Sequence, residues 1–316
     1  MPHNIALSHA SGIAAQAILE KLPESAVAPE SLVLLDEEAN IGKRIAYGGS
    51  HRKLLDQHQY DLSECAVLLM PQADPTLEAH ALQQGCLVIS HAVDDPAAPI
   101  FVGSSVAEPD IAYNTSRLRL AGEELCCLLP VLRELDRLTP ITSLHLTLFR
   151  SVEFRGKAGV DELAGQTVNL LSSREIDCGV YPQQIAFNLI PEATSPRLDT
   201  DFRQYLANSS CYVALQTVNV PLFHGFAAAV QLGFAGEVDA QACRQSLANL
   251  KDVTVSDSAV TPISDCNQSF GCAISHLQQG SNQATDLQFW LVADPMRYGL
   301  ANNYVNVVDF LLKSFL

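Results

Sequence analysis

Over its first third, the chain alternates short apolar runs with stretches of helical periodicity. Residues 5–8 form the first run. Ser11 follows as a helix cap, then Ile13, Ala14, Ala17, Ile18 and Leu22 at helical spacing. Further apolar runs cover 31–35, which stops before Asp36, 65–70 and 86–90. A helix pattern over 75–84 ends at Gly85. Runs that are apolar throughout, separated by helices, predict βαβ units and a doubly wound parallel sheet. Residues 1–116 are expected to form that domain.

The pattern then changes to alternation. Leu144, Leu146 and Leu148 share one face of a strand over 143–152, and 211–220 reads the same way. Strands are expected at 227–234, 252–255, 272–276 and 287–293, and helices at 160–172 and 237–249. This is an α+β domain with a mostly antiparallel sheet, helices on one face and the other face open to a subunit partner. Residues 297–316 read as a helix apolar on most sides, returning to the first domain. The expected division is 1–116 with 297–316, and 117–296. The polar stretches 191–201 and 256–268 are expected to be weakly ordered.

Residues 109–132 combine a turn, the capping residues Asn114, Thr115 and Ser116, and a helical stripe through Leu118, Ala121, Leu125, Leu128 and Leu132. A helix N-terminus stabilises negative charge and suits a nucleophile. The residue at that point is Ser116.

Composition narrows the function. The chain has 316 residues, 48% hydrophobic and 17% charged, enough for two folded domains. No apolar run is long enough to span a membrane, and the first residues carry no basic signal-peptide region. The formal net charge of -16, without a basic stripe, argues against nucleic acid and anionic membranes. Nine irregularly spaced cysteines without a CxxC pair read as reduced core residues of a cytoplasmic protein, with no metal site.

The first strand and helix flank His9-Ala10-Ser11-Gly12-Ile13-Ala14-Ala15. A dinucleotide pyrophosphate needs close backbone approach here. Only Gly12 remains of a GxxGxxG pattern, and His9 would crowd the phosphate. Ser11, Gly12 and Asp36 are the candidate cofactor residues. Asp36 favours NAD over NADP through a ribose hydroxyl, but with the motif degraded neither cofactor is assigned.

Four segments carry a resemblance. They are Asp294-Pro-Met-Arg297-Tyr-Gly299-Leu-Ala301-Asn-Asn303, Gly156-Lys157-Ala158-Gly159-Val160-Asp161-Glu162-Leu163, Ala186-Phe187-Asn188-Leu189-Ile190-Pro191, and Val220-Pro221 with Gly225. Nearly end to end, the sequence resembles the aspartate-semialdehyde dehydrogenase family, most closely its divergent Usg-type paralogues. The resemblance implies a Rossmann-like domain of the NAD(P)-binding type, a central dimerisation domain and a homodimer. It also implies a chemistry: a cysteine nucleophile, a histidine base, arginines for substrate carboxylate and phosphate, and NADP.

Carried over by position, that chemistry is missing. The nucleophile falls on Ser116, the base on Phe226 and the substrate arginine on Asn219. The Ser-Gly-Ala-Gly loop becomes Glu153-Phe154-Arg155-Gly156, the asparagine after Asp294 becomes Pro295, and the arginine for the NADP 2′-phosphate becomes Ala39. Residues 90–99 supply no arginine. Phe226 cannot move a proton, and Asn219 lacks a bidentate cation. If His224 and Phe226 lie on one strand they share a face, but His224 is offset by about 7 Å along it. Cys126 and Cys127 lie too far from Ser116 to replace a nucleophile. Arg117 and Arg119, or Arg155 and Lys157, could hold an anion or simply pair at the surface. Three readings follow: a homodimer of this fold without dehydrogenase activity, a remodelled NAD(P)-linked oxidoreductase acting on an aldehyde or acyl substrate, or an interaction scaffold. A small-molecule ligand is not named by the sequence.

Overall fold

The computed structural model describes residues 4–91, 100–101, 115–193, 195–206, 211–280 and 284–314. It divides into two compact units, Met1–Gly122 with Leu300–Leu316, and Glu123–Gly299.

The first unit is a parallel sheet. Its strands are β1 Asn4–Leu7, β2 Leu32–Asp36, β5 Leu55–Asp56, β6 Cys65–Leu69, β7 Leu87–Ser90, β8 Ile100–Phe101 and β9 Arg117–Leu120; β3 Arg44–Tyr47 and β4 Ser50–Lys53 form a separate hairpin. The sheet order is β5-β2-β1-β6-β7-β9-β8. From β1 the chain goes to β2 on one side and later to β6 on the other, so the turn after β1 lies at the topological switch point. Helix α1 (Ile13–Lys21) follows that turn. Helix α2 (Pro75–Gln83) is capped by Asp74, whose side chain accepts from Thr76 and Leu77 N–H. The C-terminal helix Asn302–Ser314 buries Tyr304 in this unit, its hydroxyl donating to Met70 O at 2.9 Å.

The second unit has strands β10 Ile141–Arg150, β11 Ile190–Glu192, β12 Tyr212–Asn219, β13 Phe226–Phe234, β14 Val253–Val255, β15 Cys272–Gln279 and β16 Asp286–Ala293. Their order is β11-β12-β10-β13-β16-β15-β14. Pairs β10/β12 and β14/β15 are parallel; the rest are antiparallel. Leu144, Leu146 and Leu148 of β10 are buried. The unit's helices are α3 Glu123–Leu138, α4 Gly156–Leu171, α5 Pro196–Tyr205 and α6 Ala240–Ala248.

The structure corrects four expectations. Ser116 does not begin a helix. Arg117–Leu120 is a parallel strand of alternating arginine and leucine, with Leu118 and Leu120 buried, and the helix starts at Glu123. Leu118 and Ala121 fit a helical stripe only because a strand position and a turn residue fall at the same offsets as the helix beyond. The expected capping residue Asn114 lies outside the described residues, as do all of 109–114 and residues 92–99. Ser11 is not the cap of α1: Gly12 holds that position and no side chain caps the helix. From Pro196 the stretch expected to be weakly ordered is helical: α5 buries Leu198, Phe202 and Tyr205 at helical spacing. The stretch 256–268 is pinned by Val260, whose carbonyl accepts from Trp290 Nε1 at 3.1 Å, and by Cys266, which donates to Val292 O at 3.2 Å.

Candidate functional site

The register of the second unit's sheet gathers one site at a single sheet edge. Arg150 ends β10 and pairs with Asn219, the last residue of β12, and with Phe226, the first of β13; Phe226 pairs with Ala293, the last of β16. Residues far apart in sequence therefore stand side by side across four strands. Phe226 is fully buried. Phe154 lies against it at 6.2 Å between ring centroids, and Arg150 sits over the Phe154 ring at 5.4 Å. An apolar ring thus fills the position facing Arg150 and Ala293.

Next to it lies a buried carboxylate. The loop after β10 turns through Val152–Arg155, and Glu153 points inward, 4% exposed. Its oxygens accept from Gly225 N at 2.6 Å and Ser151 Oγ at 3.1 Å, and one contacts His224 Nδ1 at 3.1 Å. Burial pushes the Glu153 carboxyl above the usual carboxylate range, with Gly225 N–H and His224 pulling the other way. His224 is half-exposed. It is oriented by a carboxylate at Nδ1, the arrangement of a general-base pair, but no nucleophile stands in contact with it among the described residues. Two glycines make this close approach possible. Gly225 has φ +93°, and a Cβ there would meet Pro262 Cβ at 2.5 Å; a Cβ on Gly159 would collide with Val152 O at the start of α4.

On the other side of Arg150 is an ion network. Arg150 pairs with the buried Glu124 and lies 3.6 Å from Glu192. Glu192 also accepts from Arg155 Nη2 at 2.5 Å and Asn219 Nδ2 at 3.0 Å. Burial pushes the Glu124 carboxyl up; the same burial acts against the Arg150 charge, but Glu124 and Glu192 more than offset it. Helix α4 holds the neighbouring loop. Glu162 accepts from Gly179 N at 3.1 Å and Tyr181 N at 3.3 Å, and Gln166 Oε1 accepts from Ile185 N and Ala186 N. Tyr181 is within electrostatic reach of Arg155, Glu192 and Arg150. Arg150, Glu192 and Glu124 were not singled out by sequence reasoning. Their signal is an arginine at the end of an apolar strand, where burial demands a carboxylate partner.

In the first unit the switch-point turn is closed by its own side chains. His9 has a positive φ of 49° and is 7% exposed. Its backbone N–H donates to Gln57 Oε1 at 3.4 Å; Gln57 Nε2 lies 3.2 Å from His9 Nε2 and donates to Asp74 Oδ2 at 3.1 Å. Gln57 thus gives His9 Nε2 a donor, and the imidazole is held as an acceptor there. Burial lowers the His9 pKa despite Asp74, Glu37 and Asp36 nearby, so the ring is held neutral. The Ser11 N–H donates to Asp36 Oδ2 at 2.7 Å, and Gly12 N–H donates to His9 O at 2.8 Å. Asp36 also accepts from Asn40 Nδ2 at 2.8 Å and from its neighbour Glu37 N–H. Burial raises its carboxyl, but these hydrogen bonds from Asn40, Ser11 and Glu37 prevail and hold it low. Ser11 and Asp36 therefore bond to each other, Gly12 N–H is taken by His9 O, and Asn40 donates to both Ser11 Oγ and Asp36.

The remaining candidates separate. Ser116 is exposed at the start of β9, where its carbonyl accepts from Val88 N–H. The turn that leads into α3 carries Ala121, Gly122 and Glu123, none with a thiol or hydroxyl. Burial pushes the thiols of Cys126 and Cys127 far up, so they stay protonated. Arg117 pairs with Glu78 at 2.7 Å, and Lys157 pairs with Asp161 one turn on.

The sequence profile described as semialdehyde dehydrogenase, dimerisation domain, matches residues 135–298, more than half of the chain. The chain belongs to the semialdehyde dehydrogenase family. Its relatives cover it end to end. Aspartate-semialdehyde dehydrogenase 2 of Vibrio cholerae is 26% identical over 99% of this chain and 98% of its own length. A USG-1 protein homolog of Pseudomonas aeruginosa is 27% identical over 100% and 99%. The crystal structure of aspartate semialdehyde dehydrogenase II from Vibrio cholerae superposes with a TM-score of 0.89 at 25% identity, covering 100% of both chains. The two-domain dehydrogenase fold, with its parallel and mostly antiparallel sheets, is that of this family member. No helix among the described residues is long and apolar enough to cross a membrane.

Proposed function

We propose that this family member is a homodimeric cytoplasmic protein without semialdehyde dehydrogenase activity, retaining the fold as a binding or scaffolding body. The observation that carries the reading is Phe226. At the position the family resemblance gives to the base there is a fully buried ring, packed on Phe154 and sealed by Glu153. A proton cannot be moved by this group, and losing one member of a cooperating catalytic set commonly costs several orders of magnitude. Two further features support it. The turn feeding α3 lacks a nucleophile, and the Ser11 N–H that a phosphate would use is engaged by a carboxylate.

For self-association the support is the open sheet face. A groove of about 740 Å³ runs over it, with His145, Gln216, Gln231, Gln288 and Trp290 among its lining and, among the described residues, no Asp, Glu, Lys or Arg. An uncharged face on a chain of net charge -16 is the surface on which two copies meet with least repulsion.

The test is an assay of the purified protein for phosphate-dependent reduction of NAD and NADP with aspartate semialdehyde, alongside sedimentation to read its mass. The reading expects no turnover and a dimer. Turnover at enzyme-like rates would overturn the first part, and a monomer at micromolar concentration the second.

A further inference from the structure

The open sheet face of the second unit carries two histidines and no charge to balance them. His145 and His276 line its groove, both are exposed, and no Asp, Glu, Lys or Arg of the described residues shares the lining. Histidine is the side chain that gains charge between pH 5 and 8. Both lie inside 135–298, the stretch matched by the dimerisation-domain profile.

The sheet sets each of them. His145 stands mid-strand on β10, opposite Ala214 of β12 and Gln231 of β13, and its ring lies 5.5 Å from that of Tyr212. His276 sits where β15 bulges. Ser275 pairs with Trp290 and Gln278 with Gln288, so His276 and Leu277 stand against the single residue Phe289. His276 has φ +53°, uncommon outside glycine, and a bulge re-aims a side chain. Ser275, fully buried, fixes the ring: its Oγ lies 3.0 Å from His276 Nδ1 and accepts from Val260 N–H at 3.4 Å. The other titratable groups of the packed elements lie outside the lining. Tyr212 is the one on β12, Arg150 ends β10, Asp286 begins β16 two residues beyond Gln288, and β13 and β14 carry none. In the stretch 256–268, Asp257 pairs with Arg244 at 2.6 Å and Asp265 accepts from Thr261 N–H at 2.7 Å. The thiols of Cys266 and Cys272 are buried.

We propose that His145 and His276 make self-association pH-dependent: two copies join through this face while both imidazoles are neutral, and proton uptake separates them. The inference rests on the reading of this face as the contact between copies. Closing the face takes the imidazoles out of water, and a buried cation without a carboxylate partner is strongly disfavoured. Gln216, Gln231, Gln278 and Gln288 can meet a neutral imidazole with a donor or an acceptor, but they offer a cation no counter-charge. The sign of the effect is diagnostic. On a chain of net charge -16, added protons weaken the long-range repulsion between copies and by themselves favour association. At about 0.15 M salt that repulsion is screened beyond about 8 Å, so the local cost prevails.

Sedimentation of the intact protein over a dilution series gives the dimer Kd at pH 7.5 and pH 5.8, at one ionic strength. A solution imidazole titrates near about 6.5, so excluding one such proton per copy raises Kd about 30-fold over that interval, and excluding two about 900-fold. The proposal expects a rise between these, and a ratio near one when His145→Gln and His276→Gln are combined. Where the dimer is too tight to dilute apart, exchange between differently labelled copies reads the same ratio as a rate. An equal or lower Kd at pH 5.8, an equal exchange rate, or a full response in the double variant would overturn it. Should the double variant fail to fold, the single variants decide: a weakened response in at least one supports the proposal, and a full response in both overturns it. A monomer at pH 7.5 would contradict the proposed self-association itself; a dimer indifferent to pH would contradict this inference alone.

Discussion

The switch-point turn of the first unit and the strand-end cluster of the second are closed by opposite means. At the turn, a buried histidine is kept neutral, and the backbone donors are taken by Asp36 and Gln57. At the strand ends, a buried acid, Glu153, is taken up by a glycine N–H and a histidine, while Arg150 lies between two carboxylates. The first closure uses up backbone donors at the switch point. The second keeps cations but balances them internally. Filling a site needs only a side chain of the right size; its protonation chemistry then follows from burial.

The largest break in this comparison is expected at Arg150. Arg150→Ala strands Glu124 as an unpaired buried carboxylate and should cost about 3–5 kcal/mol in urea unfolding of the second unit. Adding Glu124→Leu should recover much of that, because an apolar pair replaces an ionic one. Phe226→His puts a polar ring into the apolar contact with Phe154 and should cost about 2–4 kcal/mol without creating turnover. Gly225→Ala should cost about 1–3 kcal/mol, since both φ +93° and Pro262 oppose a Cβ.

The smallest effects are pH-dependent and opposite in sign. The folded chain holds the Glu153 proton to higher pH than the unfolded chain, whose value is 4.5. That stability is present below pH 4.5 and lost as pH rises through the raised value. His9 is lowered from 6.5, so its contribution is present above pH 6.5 and lost as pH falls toward its folded value. Stability against pH should therefore flatten between 4.5 and neutrality at its low end in Glu153→Gln, and just below 6.5 in His9→Gln. Equal curves for wild type and both variants would show that neither group is held as described.

Much of the fold was legible because each sheet declares its own period: apolar throughout in β1, β2 and β6, alternating in β10 and β12. Strand β9 was not, since Arg117–Leu120 is short and Leu118 falls at the helical offset of the helix that follows. Helix α5 was masked by the polar residues on its outer face. At the site, Phe226 and Asn219 could be named in sequence, and the register brings both onto Arg150. The Glu124–Arg150–Glu192 network could not, because its members lie on α3, β10 and β11 and meet only through packing.

The central claim is that the switch-point turn of the first unit is filled by the chain's own groups. Calorimetric titration of the intact protein with NAD and NADP to millimolar concentration tests it most directly. The account predicts no saturable heat with either nucleotide. Saturable binding of either one at wild-type His9, Gln57 and Asp36 would contradict it.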